Sequence, residues 1–115
     1  MKPSFVLIFF VFNLLLSTHI LSQEIETIKI GDQEWMKYNL NIDVLGSICY
    51  NKDSMNCEKY GRLYFWNSAL DACPDGFRLP IDEDWQLLTN YLGGEDVAGA
   101  KLKKGGDSGF EALFG

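Results

Sequence analysis

Apolar and polar positions divide the chain into a leader and a region of short amphipathic elements. Phe5 to Leu16 is an apolar run broken only by Asn13, with Lys2 before it and polar Ser17, Thr18, His19 and Ser22 after it. A positive start, an apolar centre and a polar end make a secretory signal peptide, so residues 1–22 are expected to be removed by cleavage after Ser22. Ile20 is bulkier than the small residue usual before such a cut, which leaves the exact bond open. The competing reading is an uncleaved anchor: Phe5 to Leu21 is 17 residues, the short edge of a spanning helix. No cysteine follows the run, so a lipid-anchored N-terminus is not expected.

Beyond the leader, Ile25, Ile28 and Ile30 alternate with polar residues, Gly31-Asp32 marks a turn, and Glu34-Trp35-Met36 follows; this predicts a β-hairpin. Asn39 to Cys57 reads as irregular. Gly61-Arg62-Leu63-Tyr64-Phe65-Trp66 predicts a strand rich in aromatic residues. A short helix should then start with Asn67 or Ser68 as its cap, run through Ala69, Leu70 and Ala72, and end before Pro74 and Gly76. Phe77 to Pro80 reads as extended. The clearest helix spans Asp82 to Leu92, where Trp85, Leu88 and Leu92 share a face that Leu87 and Tyr91 widen, and Gly93-Gly94 ends it. Val97 to Leu102 alternates enough to predict another strand, and Gly105 to Gly109 a solvated turn.

Composition narrows what the chain can do. It has 115 residues, one domain at most, and its single histidine is His19, inside the expected signal. Imidazole bases, Ser-His-Asp triads and histidine-ligated zinc are therefore excluded from the remainder. Residues 23–115 carry 9 basic against 16 acidic side chains, a net charge of −7, which argues against a nucleic-acid phosphate backbone or an anionic membrane as partner. Contact with a membrane is expected only through an uncleaved signal segment.

Export makes the three cysteines readable as disulfide candidates. Cys49 and Cys57 bracket the turn-forming run Tyr50-Asn51-Lys52-Asp53-Ser54-Met55-Asn56 and are expected to pair. Cys73 is then odd: either a buried free thiol or one whose partner lies beyond residue 115. Zinc is not expected, because the spacings are not those of a CxxC pair. The triplet Asp82-Glu83-Asp84 invites a two-carboxylate or metal site, but carboxylates in a first helical turn are explained by the helix dipole. Asn51, Asp53, Asn56 and Glu58 gather oxygen atoms on one loop, yet Met55 and Asn56 break the calcium-loop spacing. No catalytic, cofactor-binding or metal residue is assigned.

A resemblance extends this reading. Ile30-Gly31-Asp32-Gln33-Glu34-Trp35-Met36 with Asn39-Leu40-Asn41, then Cys49-Tyr50-Asn51 and Asn56-Cys57, is similar to the opening of the Fibrobacter succinogenes major paralogous domain. Tyr60-Gly61-Arg62-Leu63-Tyr64 with Trp66, Asp71-Ala72-Cys73-Pro74-Asp75-Gly76-Phe77-Arg78-Leu79-Pro80, Trp85 with Leu88, Tyr91-Leu92-Gly93-Gly94, Ala98-Gly99 with Lys101-Leu102-Lys103, and Gly109-Phe110-Glu111-Ala112-Leu113 continue that pattern in order. The resemblance covers residues 28 to 115 and implies an α+β, C-type lectin-like or sulfatase-modifying-factor-like fold: short antiparallel strands, two helices, and an incomplete C-terminal side. It further implies that residues 23–115 are the N-terminal portion of the domain and that the partner of Cys73 lies beyond residue 115. Two departures stand out. Ile81 replaces a Ser or Thr and Asp84 a Glu, so the helix cap is expected to move to Asp82; Phe77 replaces a frequent Trp.

The expected function is an exported, cell-surface or secreted module that binds a partner, an extracellular glycan or protein, without catalysis and without a cofactor. The alternatives are a fragment of an enzyme related to sulfatase-modifying factors, or a truncated product without independent function. Trp35, Trp66 and Trp85 are expected to be packing residues.

Overall fold

A computed structural model of the protein describes residues 24–113. The expected signal peptide, His19 and the cleavage position lie outside the described residues.

The predicted hairpin forms. β1 (Thr27–Ile30) pairs antiparallel with β2 (Gln33–Met36), with Ile28 opposite Trp35 and Ile30 opposite Gln33. Only two residues join them, and Gly31, at φ 61°, takes the left-handed first position such a turn requires. A side chain there would also press on the Tyr91 ring, 3.0 Å from an added Cβ.

Helix α3 (Asp82–Tyr91) and helix α4 (Glu95–Leu102) pack with this hairpin. Ile30, Leu88, Leu92 and Ala98 are buried together, with Ile28, Trp35, Leu102 and Phe110 half-buried against them. Leu88 is wholly inaccessible, as its place on the predicted apolar face requires. Leu87 and Tyr91, expected to widen that face, are instead exposed. The cap also differs from expectation: it is Ile81 rather than Asp82, and the Asp84 carboxylate reaches back to accept its N–H at 2.8 Å. Isoleucine cannot accept a hydrogen bond in return, so only one half of a capping box is present.

Residues 97–102 are helical, correcting the predicted strand. Glu95 and Asp96 sit in the first turn of α4, where the dipole favours them. Ala98 and half-buried Leu102 face the core at i and i+4, a helical spacing that short-range alternation hid. The chain then turns through Gly105 to Gly109 and returns beside α4, where Ala112 N–H donates to Leu102 O at 3.1 Å.

The second region, residues 43–73, has little apolar core. β3 (Ser47–Ile48) pairs with β4 (Leu63–Tyr64), a strand much shorter than the predicted Gly61–Trp66. Between them, a 3-10 turn (Tyr50–Lys52) leads into α1 (Ser54–Tyr60), where the sequence suggested only a loop. Asp53 starts α1 by accepting the Met55 N–H at 3.0 Å. Gly61 ends it at φ 78°, and an added Cβ there would lie 2.8 Å from Leu40 O. Helix α2 (Trp66–Ala72) begins two to three residues earlier than predicted, with Phe65, not Asn67 or Ser68, at its cap.

Four α-helices and two two-stranded antiparallel sheets thus make an α+β arrangement among the described residues, two helices more than expected. No helix among them is long and apolar enough to cross a membrane.

Polar contacts and a cross-link hold this second region. Cys49 and Cys57 form a disulfide with a Cα–Cα distance of 5.0 Å. Arg62 binds Ser47 Oγ through Nε at 2.9 Å and Asp43 Oδ1 through a terminal nitrogen at 2.8 Å. Its other terminal nitrogen lies 3.6 Å from Cys57 Sγ. Tyr64 donates its hydroxyl to Ile42 O and accepts the Ile42 N–H, both at 2.9 Å. Burial pushes its pKa up, against the hydrogen bonding at Ile42.

Candidate functional site

A cleft of about 600 Å³ opens beside the hairpin. One wall is the chain from Asp32 to Leu40, which includes β2; the other is built from the Phe77 to Pro80 segment and the start of α3, and Phe110 to Ala112 contribute to the lining. Every residue from Asp32 to Leu40 lines the cleft, odd and even positions alike. Successive strand residues face opposite sides, so β2 presents its edge here rather than one face.

The aromatic lining follows from the hairpin register. Trp35 projects from β2 and meets Trp85 of α3 with ring centroids 4.7 Å apart; Phe110 meets it edge-on at 5.9 Å. The Trp35 indole N–H donates to Gln33 Oε1 at 3.3 Å, and Gln33 Nε2 donates to Asp84 O at 3.1 Å, tying the strand to the helix. Trp85 keeps 41 % of its surface exposed although it is packed on Trp35. An exposed indole face of this kind offers apolar contact to a ligand.

Arg78 and Asp84 supply the strongest charge contact. The guanidinium reaches both carboxylate oxygens, at 2.5 and 2.9 Å, in a fork. That contact, joined by the Ile81 N–H, holds the Asp84 carboxyl at a pKa of about 2, while Arg78 is raised. Asp84 is therefore an ion-pair partner and a helix start. It is not poised to donate or take a proton near neutral pH.

The other residues singled out in the sequence are placed as follows. Cys49 and Cys57 are joined in the second region, away from the cleft lining. Cys73 is a free, half-buried thiol that borders both the cleft and a smaller cavity of about 290 Å³ shared with Arg62 and Tyr64. Asp53 and Asn56 are committed to local backbone: Asp53 caps α1, and Asn56 Nδ2 donates to Tyr50 O at 2.9 Å. Asp82 accepts from Gln86 Nε2 at 3.1 Å on the exposed side of α3, so the acidic triplet does not converge. No cluster of three or more His, Cys, Asp or Glu side chains able to hold a metal occurs among the described residues.

Of the three tryptophans, Trp35 and Trp85 pack against each other, but Trp66 does not pack as expected: 72 % of it is exposed at the start of α2. The Trp35–Trp85 contact and the Arg62 network escaped sequence reasoning. The only available sign of the cleft was Arg78 six residues before an acidic side chain that opens a helix.

No curated protein and no solved structure matches this chain. The family profile of the Fibrobacter succinogenes major domain matches residues 28–114, spanning both the cleft and the disulfide-bonded region. The chain belongs to the Fibrobacter succinogenes major domain family.

Proposed function

We propose that the protein is an exported, cell-surface or secreted binding module without catalytic activity, and that its binding surface is the cleft between β2 and α3. The observation that carries this reading is an open cleft lined by the Trp35–Trp85 pair and a preformed Arg78–Asp84 fork. Aromatic faces with a few fixed polar groups are suited to recognition. The Asp84 carboxylate, at the start of α3 in the cleft lining, is held far below neutral pH by Arg78, and no imidazole is available near it among the described residues. The partner is an extracellular glycan or protein.

Within this reading the chain is the N-terminal portion of a longer C-type lectin-like domain, with Cys73 paired to a cysteine further on. An in-frame coding sequence after Gly115 that supplies a cysteine supports that part; an immediate stop codon overturns it.

The binding reading is tested by retention of the purified protein on an array of glycans, cell-wall polymers and extracellular proteins. Retention without product, weakened at least tenfold by Trp85→Ala, is expected. Turnover of any retained polymer, or retention indifferent to Trp85→Ala, would remove the reading.

A further inference from the structure

Arg62 is a charged side chain that the cleft does not use, and its position points to the disulfide. Nε is bound to Ser47 Oγ and the terminal nitrogen Nη2 to Asp43 Oδ1. The other terminal nitrogen, Nη1, reaches only sulfur among the described residues: Cys57 Sγ at 3.6 Å and Cys49 Sγ at 3.8 Å. The Arg62 side chain is 16 % exposed, whereas its carboxylate partner Asp43 stands mostly in solvent. Solvent screens Asp43 more than it screens the guanidinium, so Arg62 keeps a positive field at the sulfurs.

A disulfide sulfur is neutral and a weak acceptor, so the intact bridge uses little of what Nη1 offers. A thiolate uses it fully, as a charge and as a hydrogen-bond acceptor. The contact therefore strengthens as the S–S bond breaks, and a group that binds the breaking state better than the intact one lowers the barrier. Thiol–disulfide exchange depends on which sulfur is attacked and on how readily the other leaves. The two sulfurs differ in both respects: Cys57 is buried in α1 and lies nearer to Nη1, while Cys49, just before the 3-10 turn, is half-buried.

We propose that the Cys49–Cys57 bridge is a thiol-exchange site whose opening Arg62 assists, which makes the order of residues 43–73 sensitive to an external dithiol. One thiolate of the dithiol attacks Cys49 Sγ. A new S–S bond joins the reductant to Cys49, the Cys49–Cys57 bond breaks, and its electron pair stays on Cys57 Sγ as a thiolate beside Arg62. The second thiol of the reductant, after losing its proton to water, attacks the reductant's own sulfur in this mixed disulfide. Cys49 leaves and takes a proton from water, the dithiol becomes a cyclic disulfide, and the bridge has gained two electrons. Loss of the ring removes the covalent closure between the end of β3 and α1.

The site of attack is read by treating the oxidised protein briefly with glutathione, quenching in acid and mapping the adducts by peptide mass, with any adduct on Cys73 resolved in the same map. Glutathione on Cys49 is expected at least tenfold above glutathione on Cys57; the reverse, or equal labelling, overturns the proposal. The rate is read with dithiothreitol and a free-thiol count. Arg62→Gln should slow reduction about tenfold, and Arg62→Lys, which keeps a cation, should restore most of the rate. A purely structural Arg62 predicts the opposite sign, because a loosened region exposes its bridge; reduction of a folded Arg62→Gln protein as fast as the unaltered one, or faster, overturns the proposal. Where amide exchange shows α1 already open in that variant, the adduct position in the unaltered protein decides alone. On reduction of the unaltered protein, amide exchange in α1, β3 and β4 should quicken at least tenfold with α3 unchanged, and unchanged exchange in α1 would show that opening the bridge switches nothing.

Discussion

The hairpin–α3–α4 region and the disulfide-bonded region, residues 43–73, are of similar size but are held by different forces. In the first, Ile30, Leu88, Leu92 and Ala98 are buried as one cluster. In the second, Cys57 and Ala72 are the buried residues, while Phe65, Trp66 and Leu70 are largely exposed. Burial of apolar surface supplies the first region with a non-directional force roughly proportional to area. The second region depends on a covalent closure and on Arg62 and Tyr64 hydrogen bonds made to specific atoms. A region whose large apolar side chains stay mostly exposed can thus still be ordered when a cross-link and specific hydrogen bonds hold it.

Breaking the apolar region should have the largest effect. Leu88→Ala leaves a cavity in the centre of the cluster and is expected to cost about 2–5 kcal/mol, measured by denaturant unfolding. The loss should appear in hydrogen exchange of β1, α3 and α4 while the Cys49–Cys57 region keeps its protection; uniform loss would mean that the two regions unfold as one.

Replacing both Cys49 and Cys57 by serine tests the converse. Closing this short ring is worth roughly 2.5 kcal/mol on the chain-entropy account. Protection should fall in α1, β3 and β4 and persist in α3, by the same exchange experiment.

A finer probe of the polar region is Tyr64→Phe, which removes the hydroxyl that bridges the Ile42 N–H and C=O. A loss of about 1 kcal/mol in thermal or denaturant unfolding is expected. An unchanged stability would show that water replaces the hydroxyl in this region.

The smallest effect concerns the start of α3. Because the Asp84 carboxyl is held at about 2, below its ordinary 3.8, its contribution is complete above that ordinary value and fades as pH falls through 2. Asp84→Asn should therefore lower stability slightly at neutral pH and reduce its dependence on pH between about 4 and 2. Acid titrations of the two proteins followed by circular dichroism compare them directly.

Much of the first region was legible because its signals are local and periodic. Alternating isoleucines before Gly31-Asp32 and the Trp85, Leu88, Leu92 spacing each name an element and its buried face. Residues 97–102 misled because Val97, Gly99 and Lys101 alternate with alanines and a leucine, a pattern that also fits a helix whose Ala98 and Leu102 face inward. In the second region, Asp53 starts α1 but between two cysteines read equally well as part of a loop, and Gly61, which stops α1, was read into the strand that follows. The Cys49–Cys57 pairing was legible from the short ring; the Arg62 contacts to Ser47 and Asp43 were not, because they span 15 and 19 residues.

Local commitments follow from the chain's own order of residues: the hairpin and its turn, the main helix and its inward face, the disulfide ring, and the family pattern across residues 28–114. Most depend on neighbours a few residues apart, where spacing dictates which side chains meet. Folding in three dimensions was needed to bring Trp35 onto Trp85, to set Arg78 and Asp84 at the cleft, and to line it with β2. Those outcomes depend on how a hairpin and a helix some fifty residues apart are brought together, as the Gln33–Asp84 hydrogen bond shows, and burial is a property of that assembly rather than of either segment.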